Sequence, residues 1–206
     1  MDERTLVELS RSGDTGALEP LIALYERKIY NFCFRISGNR DDAYDLAQET
    51  FLRMCASITS FRAEAPFSSW IYRIANNVCV DYIRHKSRIR CISIDAPCES
   101  EDGEAHWQIA DKCAGPEESA EFGDLKHALA AGIRTLALDH RTAIIMHDVQ
   151  NRTYEEIACA VGCPIGTVKS RLNRARTGLK RYLEVEGLLA RSRPLGTFGI
   201  PSPSIE

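Results

Sequence analysis

The sequence predicts an all-α protein: two small helical domains joined by an acidic flexible linker, with a helix-turn-helix in the C-terminal domain. Three observations lead there. Apolar residues recur at helical spacing through most of the chain, and strand-like alternation is scarce. The periodicity fails between residues 91 and 121, where Pro97, Gly103, Gly115 and Pro116 punctuate an acidic stretch. It returns from residue 122 and ends at 184, before a tail, "RSRPLGTFGIPSPSIE", that is rich in Pro, Gly and Ser and is expected to be disordered. The division is therefore 1–90 for the first domain, 91–121 for the linker, 122–184 for the second domain and 185–206 for the tail.

Residues 4–12 read as a short helix stopped at Gly13. Residues 15–36 read as a long one, with Leu18, Leu21, Ile22, Tyr25, Ile29, Phe32 and Ile36 on one stripe and Pro20 early enough to sit in its first turn. "GNRDD" marks a turn, and helix resumes over 41–58 with Leu46, Thr50, Phe51, Met54 and Ile58 inward. After the loop "FRAEAP", Pro66 opens a helix running to about His85, whose apolar side carries Phe67, Trp70, Ile71, Ile74, Val78 and Tyr82.

In the second domain Thr153 and Glu156 have the spacing of a capping box, in which a hydroxyl and a carboxylate each satisfy a free backbone N–H. Gly162 can adopt the left-handed conformation that closes a helix, and Pro164 suits the opening turn of the next. Ile165, Val168, Leu172, Ala175 and Leu179 then form one buried stripe. Cap, small Ala158, glycine turn and Val168 anchor make a helix-turn-helix. Lys169, Ser170, Asn173 and Arg174 lie off the stripe and are its candidate readers of the major groove.

The net charge of the 206 residues is only −3, but charge is unevenly placed. Residues 91–124 hold ten acids and one base, 164–181 hold six bases and no acid, and "RHKSRIR" at 84–90 adds four bases. Two basic patches flanking an acidic segment point to nucleic acid rather than to a neutral ligand. No apolar run reaches the roughly 18 residues of a membrane span, and "MDERTLVELS" has no signal-peptide core, so a cytoplasmic location is expected. The eight cysteines are expected to be thiols. Cys91, Cys98, His106 and Cys113 lack the tight pair typical of zinc sites, so no metal or cofactor is expected. No nucleophile–base–acid constellation suggests an enzyme or a small-molecule substrate. Aromatic residues from Phe61 to Tyr82, with Asn76, Asn77 and Asp81 among them, could bind unpaired bases, although Phe67, Trp70 and Ile74 also have the spacing of a core stripe.

Three ordered blocks carry a resemblance. "DDAYDLAQETFLRM", "FRAEAPFSSWIYRIANNVCVDYIR" and, after the acidic linker, "TYEEIACAVGCPIGTVKSRLNRAR" together resemble a bacterial RNA polymerase sigma factor of the extracytoplasmic-function (ECF) type. The resemblance covers about residues 5–90 and 122–184. It implies a non-enzymatic protein that binds core RNA polymerase, directs it to promoter DNA and assists melting, and that is held in check by an anti-sigma factor. By resemblance, the first domain reads and melts the −10 element and the second reads the −35 element.

Residue by residue, the resemblance assigns Asp45, Gln48 and Glu49, beside Leu46 and Phe51, to the polymerase clamp. Phe61, Asn77 and Asp81 match positions lining a pocket for a flipped base, and Trp70 matches a tryptophan near the melting point. Arg84, Lys86 and Arg88 would hold backbone phosphate. Lys169, Ser170, Asn173 and Arg174 match the −35 readers. Relatives often have Asn where this chain has Asp81, and some have an aromatic where it has Asn173. A carboxylate accepts hydrogen bonds but cannot donate them, which alters the choice of base. The rival expectation is a helix-turn-helix regulator that binds DNA without core polymerase.

Overall fold

The computed structural model describes residues 1–92 and 116–187. The described residues form eight α-helices and no strand. Most of the expected linker and all but the start of the expected tail lie outside them. The N-terminal unit holds α1 (Glu3–Arg11), α2 (Leu18–Ser37), α3 (Arg40–Ser57) and α4 (Phe67–Ile92). The C-terminal unit holds α5 (Pro116–Thr135), α6 (Leu138–Ile144), α7 (Tyr154–Val161) and α8 (Ile165–Val185).

Local chemistry sets the helix ends. Asp2 caps α1 by accepting from the Thr5 N–H, and Asn39 caps α3 by accepting from Asp41 and Asp42 at 2.8 and 3.1 Å. Gly38, at φ 76°, closes α2 in the left-handed conformation. A 3₁₀ turn at Thr15–Ala17 leads into α2, and Pro20 falls in its first turn. Two boundaries differ from expectation. Helix α4 continues about two turns past His85, and α5 begins at Pro116 rather than at 122.

The N-terminal core lies between α2, α3 and α4. Leu21, Tyr25, Ile29, Phe32 and Ile36 meet Met54, Ile71, Tyr72 and Ala75, all nearly or fully buried. Each large side chain buried this way contributes about 1.5–3 kcal/mol. Edge-on aromatic pairs fix the geometry: Tyr25–Phe67 at 5.4 Å and Phe32–Tyr72 at 5.5 Å. Cys33 and Cys79 are free thiols in this core, their sulfurs 3.8 Å apart. The hydrogen bond to Cys33, together with burial, pushes the Cys79 thiol well above the usual range, as expected for an inert packing cysteine.

The two helical units pack on each other. Helix α7 lies along α4, and the C-terminal end of α2 meets α5, α6 and the π-helical turn Ile145–Val149. The buried apolar residues of both units form one cluster, and polar contacts cross the seam. The Arg141 guanidinium donates to the Ile36 carbonyl at 2.8 Å, to the Leu136 carbonyl at 3.2 Å and to that of Arg134, so it ties the last turn of α2 to the α5–α6 corner. Burial lowers its pKa. Thr142 Oγ1 donates to Asn76 Oδ1 at 3.2 Å, Ser68 Oγ reaches Glu156 at 3.4 Å, and the Arg152 guanidinium lies over the Tyr72 ring at 4.9 Å. Among the described residues, no helix is long and apolar enough to cross a membrane.

Candidate nucleic-acid interface

The helix-turn-helix is built as its residues dictate. Thr153 Oγ1 accepts from the Glu156 N–H at 3.2 Å, and Glu156 Oε2 accepts from the Thr153 N–H at 2.9 Å, which completes the capping box. Gly162 turns the chain at φ 70°. Val168, Leu172 and Ala175 are buried and seat α8. Lys169, Ser170, Asn173 and Arg174 stand exposed on the opposite face.

The six bases of this segment do not act alike. Arg171 pairs with Asp139 at 2.6 Å, and Arg176 grips Asp148 with two nitrogens at 3.1 and 2.5 Å. Those two hold the recognition helix to α6 and to the turn that follows it. Lys169 lies over the Tyr154 ring at 5.6 Å, and the same ring stacks on His147 at 4.9 Å. The free face is thus narrower than the charge count implies.

In the N-terminal unit the expected residues fall into separate places. Phe61 is only 7% exposed: its ring packs on Trp70 at 4.9 Å and Phe67 at 5.7 Å. An open stacking face on Phe61 is therefore absent in this state, because the apolar ring gains more from Trp70 and Phe67 than from water. Asn77 and Asp81 are exposed on the outward face of α4, and Asp81 comes within 3.7 Å of Arg53. Arg84 and Arg88 are exposed. Lys86 is tied to α3: its Nζ reaches Asp42 at 3.2 Å and the Tyr82 hydroxyl at 2.7 Å. That bonding raises the Lys86 pKa, and the side chain remains 52% exposed.

Along α2 and α3 an open groove of about 530 Å³ is lined by Tyr30, Tyr44, Gln48, Phe51 and Leu52, among others. Tyr44 and Leu52 are 57% and 66% exposed, unusual for large apolar side chains. Of the expected clamp residues, Gln48 lines this groove, Asp45 is exposed beside it, and Glu49 is bound to Arg53 at 2.7 Å. Phe51 is half-buried: it packs against the core, as expected, and also lines the groove. Tyr44 and Leu52 escaped sequence reading, although both sit off the buried stripe of α3.

A helix-turn-helix with a free polar face, packed on a second helical unit with an apolar groove and clustered aromatics, defines a DNA-binding protein equipped for a further protein partner. Comparison with known proteins makes the class specific. Residues 21–89 match Sigma-70 region 2, and residues 126–179 match Sigma-70, region 4. The ECF RNA polymerase sigma factor SigW of Bacillus subtilis is 33% identical over 174 residues, covering 84% of this chain and 92% of that one. The ECF RNA polymerase sigma-E factor of Haemophilus influenzae is 32% identical over 188 residues, covering 89% and 96%. Among solved structures, the sigma factor RpoE of Bartonella quintana, in complex with the anti-sigma factor NepR, superposes with a TM-score of 0.65 at 27% identity, covering 82% of this chain and 97% of that chain. The chain belongs to the ECF RNA polymerase sigma factors, and it directs core RNA polymerase to specific promoters.

Proposed function

We propose that the two units divide the promoter between them. The C-terminal unit reads the −35 element with Lys169, Ser170, Asn173 and Arg174. The N-terminal unit grips the polymerase through the α2–α3 groove and its rim of Asp45, Gln48 and Glu49. It reads and opens the −10 element with Phe61, Trp70, Asn77 and Asp81, while Arg84 and Arg88 contact phosphate. The protein works in the cytoplasm without catalysis or cofactor. Its regulator is an anti-sigma factor, a reading supported by the RpoE–NepR complex.

The observation that carries this division is the partition of α8. Asp139 and Asp148 engage Arg171 and Arg176, while Lys169 and Arg174 stay exposed beside Ser170 and Asn173. Ion-paired bases hold a helix in place, whereas exposed bases next to hydrogen-bonding side chains can read base edges.

The test is transcription by reconstituted holoenzyme on promoters varied in the −35 element. Arg174→Ala should lose roughly 5- to 150-fold at one base pair of that element, the worth of a bidentate contact of about 1–3 kcal/mol. Core binding should be unchanged. An equal loss on every promoter sequence would make Arg174 a phosphate contact and refute its reader role.

A further inference from the structure

Where the two units meet, an open pocket of about 410 Å³ is lined by Lys28, Asn31 and Arg35 of α2, Tyr72 of α4, and Gln150 and Arg152 from the segment between the π-helical turn and α7, among others. That volume suits a small molecule. Three of these side chains are cationic, and among the described residues no carboxylate lines the pocket. Lys28, Asn31 and Arg35 share one face of α2 by their spacing of three and four. Lys28 Nζ lies over the Tyr25 ring at 5.0 Å, and Arg35 donates to the Asn31 carbonyl at 3.4 Å. On the other wall, Asn151 takes φ 53° between Gln150 and Arg152. Gln150 Nε2 donates to the Lys28 carbonyl at 3.5 Å, and Arg152 gives one terminal nitrogen to Glu156 at 3.1 Å. Two buried atoms of that wall, Gln150 Oε1 and Arg152 Nε, have no hydrogen-bond partner among the described residues. One is an acceptor and the other a donor, so a hydroxyl and an anion are the groups that would relieve them. Burial lowers the Arg35 pKa, and an anion beside it would act in the opposite direction.

We propose that this pocket binds a small phosphate ester carrying a hydroxyl group, which bridges the two units: its phosphoryl oxygens accept from Arg35, Arg152 and Lys28, and its hydroxyl donates to Gln150. Guanidinium groups match phosphoryl oxygens with parallel donors, and the lysine adds a point charge. Tyr72 is only 1% exposed and lies under Arg152, so its ring offers no face on which a nucleobase could stack. A polyol phosphate therefore suits the pocket better than a nucleotide does. Because the site draws on both units, a bound ligand favours the packed form and, by reciprocity, opposes whatever parts the units. That consequence, unlike the site, rests on the reading that core polymerase opens the seam.

The experiment is calorimetric titration of the full chain, without core polymerase, with glycerol phosphate. Glycerol, sulfate and a single-stranded oligonucleotide are the comparison arms. Glycerol phosphate should bind, and glycerol and sulfate, each missing one half of the recognition, should bind at least about tenfold more weakly. Arg35→Gln and Arg152→Gln, one from each unit, should each weaken glycerol phosphate roughly 10- to 150-fold, the worth of a charge-assisted hydrogen bond. Lys28→Gln, at an exposed position, should cost only roughly 2- to 5-fold. Thermal unfolding serves as the folding control. Arg35→Lys or Arg152→Lys replaces a glutamine variant that fails it and should still bind more weakly, because an ammonium lacks the parallel donors. No binding of glycerol phosphate at millimolar concentration overturns the proposal. So does equal binding of sulfate, which marks an adventitious anion patch, or tighter binding of the oligonucleotide, which marks a nucleic-acid backbone contact. A loss confined to variants of one unit shows that the ligand does not bridge, and refutes it too. If glycerol phosphate binds as expected but leaves the affinity for core polymerase unchanged, the site stands and the reading that polymerase opens the seam fails instead.

Discussion

In α8, Arg176 places Nε 3.1 Å from one oxygen of Asp148 and Nη2 2.5 Å from the other, while His147 Nδ1 lies 2.6 Å from the second. Burial alone would raise the Asp148 carboxyl, but these partners hold it below its ordinary 3.8. A carboxyl whose folded pKa is depressed adds stability at pH values above its unfolded pKa, and loses it as pH falls through the folded value. Asp148→Asn should therefore lower stability at pH 7 by about 1 kcal/mol, a discounted value for a pair partly open to water. Denaturant titrations should show that gap undiminished above about pH 4 and closing below it. A gap independent of pH would mean that the lost stability is packing, not charge. This pairing could not be read from the sequence. The six bases of 164–181 look alike there, and the partners of Arg171 and Arg176 stand 32 and 28 residues away, beyond any local spacing rule.

At the scale of elements, the helix-turn-helix was legible because its signals are local: Thr153 and Glu156 three apart, Gly162 at the turn, Val168 in the next helix. The end of α4 was not. Its apolar stripe stops near Tyr82, but no glycine or proline follows until Pro97, so nothing in the sequence terminates the helix at His85. The π-helical turn after α6 carries no sequence signature either; it shows in the backbone bond from the Gln150 N–H to the Ile145 carbonyl. Nor does periodicity reveal that the two units meet, because Ser68, Asn76 and Thr142 at the seam are polar and fall on no apolar stripe. Buried polar pairs of this kind hold only while both partners are present. Holoenzyme formation should break them, and hydrogen exchange in α6 and α7 should rise several-fold when core polymerase binds. Unchanged or slower exchange in both helices would show that the units stay docked.

The whole molecule explains why undocking is required. A globule of this size spans on the order of 40 Å. Elements centred at −10 and −35 are roughly 25 base pairs apart, or about 85 Å of B-DNA. If α4 meets the first and α8 the second, as proposed above, one packed body cannot reach both. On that reading the packed form is a state of the protein off the promoter. This protein confers promoter choice on core polymerase. The most direct measurement is transcription from genomic DNA by core polymerase, with and without the protein, with every start site mapped. Protein-dependent starts should appear downstream of one shared pair of −10 and −35 sequences, and the protein alone should footprint none of them. Footprints by the protein alone, with no new start sites when core polymerase is added, would contradict the account and leave a helix-turn-helix regulator in its place.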